Sequence, residues 1–416
     1  MKYHASILTL LTTLASIGLA GDWPQFRGPE STGVSSDAKI PANPKIDWSA
    51  PLPGRGLASP IVVGGKVFIT CSSGPKQERL HVLCFNAADG AKLWERQLHA
   101  TGRTMSHPKT SVAACTPCSD GRHVFALWSS NDLAAFDLDG NLLWVRGLTA
   151  DYPNASNSLG MASSPIVIGE TVVAMIENDS ESYSLGIDAK TGRNMWKLDR
   201  PKSANWTSPI PWRADEKSAP VALLQSSKGL LAVDATSGSR LWEYGDGAST
   251  MSSSVVSGGV IFATSNGMTA LTPQAGGTAP AQLWRSKQIN PSTISPLVLD
   301  GRLFSVNGAG VISTADIKTG DNGWKLRLTG PFSSSPVGAG TRLFTVNEKG
   351  LVQIVDVAAP EGALLGQLQL LLNEETKELI LCTPALSGSH VFVRTDGTLW
   401  RLGEAENSKS QAPNHK

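Results

Sequence analysis

Ala232-Val233-Asp234-Ala235-Thr236-Ser237-Gly238-Ser239-Arg240-Leu241-Trp242 reads as the end of one strand, a tight turn and the start of another, and the chain repeats it. Asn86, Gly90 and Trp94 share the spacing of Asp234, Gly238 and Trp242, as do Asp188, Gly192 and Trp196 and, further on, Asp316, Gly320 and Trp324. Asp137, Gly140 and Trp144 form a copy one residue shorter. Asp or Asn hydrogen-bonds its own turn backbone, and Gly supplies a positive φ without steric cost.

Upstream of each turn stands a β-branched run: KVFIT, HVFAL, TVVAM, APVALL, VIFAT, RLFSV, RLFTV and HVFVR. About ten residues before each run comes a Ser/Thr-Pro-like step: Ser59-Pro60, Thr116-Pro117, Ser164-Pro165, Ser208-Pro209, Ser253-Ser254, Ser295-Pro296, Ser335-Pro336 and Thr383-Pro384. A multi-strand repeat of roughly 40 to 50 residues means a propeller or a solenoid. Each repeat holds four strands: one after the step, the β-branched run, the run ending at the turn, and the tryptophan strand. The fold class is therefore all-β, an eight-bladed propeller of four-stranded antiparallel blades. Each recurring tryptophan is suited to fill the gap between neighbouring sheets. Ligand stacking is the functional alternative, and recurrence at one repeat position favours packing.

The last repeat ends with HVFVRTDGTLWRL and has no tryptophan strand after it, whereas an orphan strand, Ile46 to Leu52, precedes the first. Placing that strand, with Trp48, in the final blade closes the ring and removes two exposed edges. Two repeats deviate. One turn expands to TPQAGGTAPAQ before Trp284, and in the seventh blade the tryptophan position becomes aliphatic, near Leu364. ALLGQLQLLLNEETKELIL is expected to form two strands around a turn at Asn373 to Thr376.

Residues 1–20 read as a secretory signal, with Lys2, an apolar and hydroxyl-rich stretch from Ala5 to Leu19, and a small-residue cleavage site at Gly18-Leu19-Ala20. Residues 21–43 form an N-terminal extension, 44–403 the propeller and 404–416 a polar tail expected to be disordered. Cysteine is absent from the cleavage site, so no lipid anchor is expected there. No later apolar run reaches the roughly 20 residues of a transmembrane helix. The expectation is a soluble, monomeric, periplasmic or extracellular protein. Without the leader, 35 basic residues face 35 acidic ones, which argues against nucleic acid and anionic membrane surfaces as partners.

The five cysteines leave at least one unpaired. A hairpin turning at Pro75 to Gln77 sets Cys84 opposite a residue near Val67, away from Cys71. Cys115 and Cys382 fall at equivalent places two blades apart, beyond the roughly 7 Å reach of a disulfide between Cα atoms. Buried, small apolar cysteines are expected. Cys115-Thr116-Pro117-Cys118 has redox or haem spacing. Ser119 stands where haem attachment needs His, and Cys115 shares its repeat position with Ser163, Thr207 and Ser334.

The blade pattern, as in GIDAKTGRNMW and AVDATSGSRLW, resembles the pyrroloquinoline-quinone-like (PQQ-like) propeller repeat with its tryptophan-docking segments, over residues 44–403. Asp22-Trp23-Pro24-Gln25-Phe26-Arg27-Gly28-Pro29 resembles the start of exported, planctomycete-type proteins of that family. The family also includes the propeller lipoprotein of the outer-membrane β-barrel assembly machinery, whose lipidated cysteine has no counterpart here. Through the quinoprotein dehydrogenases the resemblance implies an enzymatic alternative. There the quinone lies against a disulfide between adjacent cysteines, and Glu, Asn and Asp hold calcium near a catalytic Asp. This chain has no Cys-Cys pair.

Glu177-Asn178-Asp179-Ser180-Glu181 has oxygen ligands suited to calcium, but not the spacing or glycine of a known calcium loop, and reads as a solvated hairpin tip. Asp179, Ser182, Arg200 and Trp206 match the exported family. An Arg–Asp pair beside a Trp suits a small polar or anionic ligand at the ring's mouth; an inter-blade ion pair uses the same residues without a ligand. The histidines are scattered. Only Arg103 to Lys109, a loop between blades, gathers basic character, and it has no metal or catalytic pattern. The eight step hydroxyls either line the axial channel or bond backbone groups where each inner strand begins.

The expectation is a non-catalytic exported scaffold that binds an envelope protein or a small polar ligand, the ligand at Asp179, Arg200 and Trp206, with no catalytic residue, cofactor or metal. The alternative is a PQQ- and calcium-dependent oxidoreductase, or a degenerate quinone-binding relative.

Overall fold

In the hairpin that holds the Asp234 turn, Ala232 stands opposite Trp242 and Val233 opposite Arg240, so Leu241 is an extra residue on the outer strand. The same bulge recurs where Cys84 faces Trp94, Gly186 faces Trp196 and Ala270 faces Trp284. A bulge sharpens local twist and re-aims the next side chain. Here it turns each tryptophan toward the following blade. The Trp94 indole N–H donates to Leu138 O (3.1 Å), Trp144 to Ala189 O (2.9 Å), Trp196 to Ala235 O (2.9 Å) and Trp284 to Ile317 O (2.9 Å). The ring then covers the turn glycine. A Cβ on Gly238, whose φ is +71°, would stand 2.5 Å from Trp196 Cγ. Glycine is required there by conformation and contact alike, and the tryptophans are packing residues.

The structure is a computed structural model describing residues 21–156, 159–213, 218–274, 277–372, 375 and 378–405. The expected leader at 1–20 and the polar tail after Ala405 lie outside the described residues. Eight antiparallel sheets follow one another round the ring, each running from an inner to an outer strand. Blade 3, for example, runs Ile166–Ile168, Thr171–Ile176, Tyr183–Asp188 and Asn194–Asp199. Antiparallel order puts the first and third turns of every blade at one end of the ring, the turn face. The second turns and the blade-to-blade loops share the other end, the connecting face. No helix is long and apolar enough to cross a membrane among the described residues.

The ring closes as expected. Pro44–Pro51 pairs antiparallel with Thr398–Glu404 as the outer strand of the blade begun by Ala385–Ser387 and His390–Arg394. Trp48 donates to Ala87 O (3.2 Å) of blade 1 and covers Gly90. Glu404, placed in the tail by sequence, ends the final strand, and its carboxylate accepts the Ala42 and Asn43 amides at 2.6 and 2.9 Å.

Blade 7 departs from expectation twice. Leu364 faces Val355 and Gly366 faces Ile354, so Gly366, two residues past Leu364, holds the tryptophan register. The reason is topological. Blade 8 has no Asp-Gly turn to receive a ring, because the N-terminal strand joins it there, and a Cβ on Gly366 would collide with Ala42 O. Ala363–Gln369 is one strand, but Glu378–Leu381 is not a second. Blade 8 already takes its four strands from elsewhere, which leaves that segment as connection.

The step hydroxyls form a belt around the axis. Ser59 N–H donates to Thr116 Oγ1, Thr116 N–H to Ser164 Oγ, Ser164 N–H to Ser208 Oγ and Ser208 N–H to Ser253 Oγ, at 2.9 to 3.1 Å. Ser253 N–H continues to Ser295 Oγ, Ser295 N–H to Ser335 Oγ, and Thr383 N–H to Ser59 Oγ, at 3.0 to 3.1 Å. Each link joins one blade to the next and contributes about 0.5–1.5 kcal/mol. Proline after the hydroxyl removes an N–H where the inner strand begins. The step oxygens therefore bond backbone groups where each inner strand begins, as one of the two readings expected.

Candidate functional site

The connecting face carries a buried polar network through blades 3 to 5. Glu177, just after Thr171–Ile176, and Arg200, just after Asn194–Asp199, reach the same end of blade 3. Arg200 Nε donates to Glu177 Oε1 at 2.5 Å, and Arg200 Nη2 to Leu224 O of blade 4 at 3.1 Å. Asn205 Nδ2 donates to Glu177 Oε2 (2.9 Å) and Gln225 O (2.7 Å). Gln225 Nε2 donates to Ser249 O, Ser252 O and Thr264 Oγ1 at 2.6 to 2.9 Å. Its Oε1 accepts Ser254 N–H (2.9 Å) and O–H (2.6 Å). Ser254 replaces the proline of the one deviant step, and Gln225 satisfies the N–H so restored.

Three expectations meet this network. Asp179, Arg200 and Trp206 do share one neighbourhood. Arg200, however, pairs with Glu177, so the ion pair lies within blade 3 and only its carbonyl bond crosses to blade 4. Asp179 instead accepts the Ala204 amide at 2.9 Å, while Trp206 donates its indole N–H to Gly160 O at 2.9 Å. Ser182 Oγ accepts the Asn178 amide at 3.3 Å. The solvated hairpin tip is corrected in part: Glu177 and Asn178 are buried, and Asp179 and Ser180 alone are exposed. Glu177 is drawn in by Arg200 and Asn205, and Asn178 Nδ2 closes the inside of the turn by donating to Ile176 O (3.2 Å) and Glu181 O (2.7 Å).

Burial pushes the Glu177 carboxyl above its ordinary range, opposed by the Arg200 guanidinium and the Asn205 amide. This donor set does not fit calcium. Both Glu177 oxygens are taken, one by a cation, and Asn178 Oδ1 accepts the Ser180 amide at 2.8 Å. Among the described residues no three His, Cys, Asp or Glu side chains cluster as ligands.

The loop from Arg103 to Lys109 crosses the mouth. Lys109 Nζ reaches Glu348 Oε1 of blade 7 at 2.8 Å, and Ser333 Oγ donates to the same oxygen at 2.5 Å. Arg55 donates to Pro108 O (3.2 Å) and meets Asp396 at 3.3 Å. Only the basic character of this loop is local; its partners Arg55 and Glu348 lie far away in the chain. Further round the connecting face, at blades 4 to 6, a polar hollow of about 380 Å³ is lined by residues including Ser227, Asp246, Ser249, Thr264 and Asn266.

At the turn face the N-terminal extension is a plug. Trp23 is fully buried and exchanges backbone bonds with Val62 of blade 1 (2.7 and 3.0 Å). Pro24 O accepts the Ser119 amide of blade 2 at 2.8 Å. Arg27 donates to Thr32 O (3.0 Å), to Ser254 O of blade 5 (3.4 Å) and to Pro296 O of blade 6. Val34–Ser35 adds a parallel strand inside blade 7, and Lys39 N–H donates to Gly388 O of blade 8 at 2.7 Å. Sequence reading assigned residues 21–43 no role. The signal available was an aromatic residue and an arginine set among glycine and proline.

All five cysteines are free and buried. Burial pushes the Cys115 and Cys84 thiols up to about 12 and Cys382 to about 11, and Cys118 also rises. Thiols held protonated are poor nucleophiles. Cys84 faces Phe68 and Cys71 faces His81, the separation expected from register.

The architecture defines a tryptophan-docked, eight-bladed propeller. A family profile described as outer membrane protein assembly factor BamB matches residues 41–210, 160–290 and 278–365. The chain belongs to this PQQ-like, BamB-type propeller repeat family. No curated protein matches the sequence. Among solved structures, BamB from Moraxella catarrhalis is 16% identical, with TM-score 0.62, over 88% of this chain and 98% of that one. Quinohemoprotein alcohol dehydrogenase from Comamonas testosteroni is 13% identical, with TM-score 0.67, over 94% and 82% respectively. A europium-containing methanol dehydrogenase is 12% identical, with TM-score 0.66, over 92% and 98%. At these identities the likeness is one of fold, and it spans an assembly factor and two dehydrogenases alike.

Proposed function

We propose that this chain is a non-catalytic binding scaffold of the cell envelope, exported with cleavage near Ala20 and binding through its connecting face. One observation carries the reading: the charged groups that converge on the mouth are spent within the chain. Arg200 is held by Glu177, Lys109 by Glu348 and Arg55 by Asp396. That arrangement stiffens long loops into a fixed surface, which suits recognition more than proton or electron transfer. The exposed carboxylate of Asp179, anchored by the Ala204 amide, and the partly exposed Trp206, anchored on Gly160 O, are the groups that would meet a small polar ligand. The fold is equally compatible with dehydrogenases, so the quinone-dependent reading stands as the alternative.

Lysine-directed cross-linking of the purified chain with the envelope fraction tests the scaffold reading. Links to one partner chain from Lys109 and Lys202, on the connecting face, are expected, and excess unlabelled chain should compete them away. Links spread equally over Lys190 and Lys318, in turns of the opposite face, would count against it, as would a lack of competition.

A further inference from the structure

In the plug beneath the hydroxyl belt, the buried side-chain atoms left without a partner are both donors. Each belt oxygen in the seven links already accepts a backbone N–H, which leaves its proton to be placed. The eight step residues keep 2 to 5% exposure, unlike the fully sealed apolar core around them. Linked blade to blade, they ring the axis. Arg27, 1% exposed, reaches the neighbours of two belt residues: it donates only to backbone carbonyls, those of Ser254 and Pro296 beside the belt and Thr32 within the plug, and makes no ion pair among the described residues.

The two buried donors in the plug, Arg27 Nε and the Trp23 indole N–H, have no partner. A buried cation without a counter-charge is costly. Burial lowers Arg27 only to about 9, so the guanidinium is charged at neutral pH. Water can accept the loose protons but cannot neutralise the charge. A small anion does both, and a spherical one accepts hydrogen bonds from several directions at once.

We propose that the axial channel binds a small monovalent anion, chloride in ordinary saline, against the Arg27 guanidinium and the protons of the Ser/Thr belt. The site lies inside the ring, apart from the connecting-face surface proposed for partners, so either reading can fail alone.

Crystals of the full chain soaked in sodium bromide, with anomalous scattering measured at the bromine edge, locate the ion. A bromide peak beside Arg27 on the ring axis is expected. In solution, replacing isethionate by chloride at fixed ionic strength should raise the melting temperature saturably. Arg27→Gln should abolish that rise, and the surface variant Lys190→Gln should leave it unchanged. An axis holding only water overturns the proposal, as does a bromide peak with no chloride-dependent shift in the wild-type chain. An undiminished shift in Arg27→Gln overturns it too. If Arg27→Gln does not fold, the two wild-type measurements still decide.

Discussion

A chain lacking residues 44–51 is expected to lose the whole ring instead of one blade. That strand makes the outer ladder of blade 8 from Pro44 opposite Glu404 to Pro51 opposite Thr398. Its Trp48 docks on blade 1, and Asp47 meets Arg401 at 3.4 Å. Removing it exposes one strand edge, strips the Gly90 turn of its cover and unties the plug from the barrel it seals. Trp48 is only partly buried, so its loss alone should cost about 0.5–3 kcal/mol, less than a core tryptophan would. With the ladder and the plug added, the sum approaches the roughly 5–15 kcal/mol that holds a typical domain together. Urea unfolding followed by Trp fluorescence and circular dichroism should show the deletion variant largely unfolded without denaturant, and Trp48→Ala shifted by about 0.5–3 kcal/mol. A deletion variant that unfolds at the wild-type midpoint contradicts the closure.

Arg200→Met should destabilise the chain by about 3–5 kcal/mol, because it leaves the buried Glu177 carboxylate unpaired. Restoring neutrality with Glu177→Gln in the same chain should recover much of the loss. The pH dependence has a definite sign. A carboxyl whose folded pKa lies above its ordinary value of 4.5 binds more protons folded than unfolded between those two values. Stability from this group is therefore fully present at low pH and falls as pH rises through the window. Without Arg200 the folded pKa climbs further, so the penalty should be larger at pH 7 than at pH 5. Equilibrium unfolding at both pH values checks this. A variant as stable as wild type would mean that Arg200 is held loosely enough to serve a ligand directly.

The repeat was legible because its determinants are local. An Asp-Gly turn, a following tryptophan and a Ser/Thr-Pro step each act within a few residues, and eight copies average out exceptions. The closing strand was legible by subtraction, since one blade lacked a strand and one strand lacked a blade. What escaped depends on distant contacts or on a one-residue shift. The bulge before each tryptophan moves the register, so Gly366 takes the place that composition suggested for an aliphatic residue near Leu364. Glu177 and Asp179 are both acidic and close in sequence, yet only Glu177 is turned inward to Arg200. The plug is held by blades 1, 2, 5, 6, 7 and 8, and no spacing within residues 21–43 encodes those partners.

The most direct test of the scaffold reading is to titrate the purified chain with pyrroloquinoline quinone and calcium, following Trp fluorescence and dye-linked oxidation of alcohols and sugars. With the charged groups at the mouth committed within the chain, no saturable fluorescence change is expected and no dye reduction above the protein-free rate. Saturable quinone binding accompanied by substrate-dependent dye reduction would contradict it and make the chain a dehydrogenase.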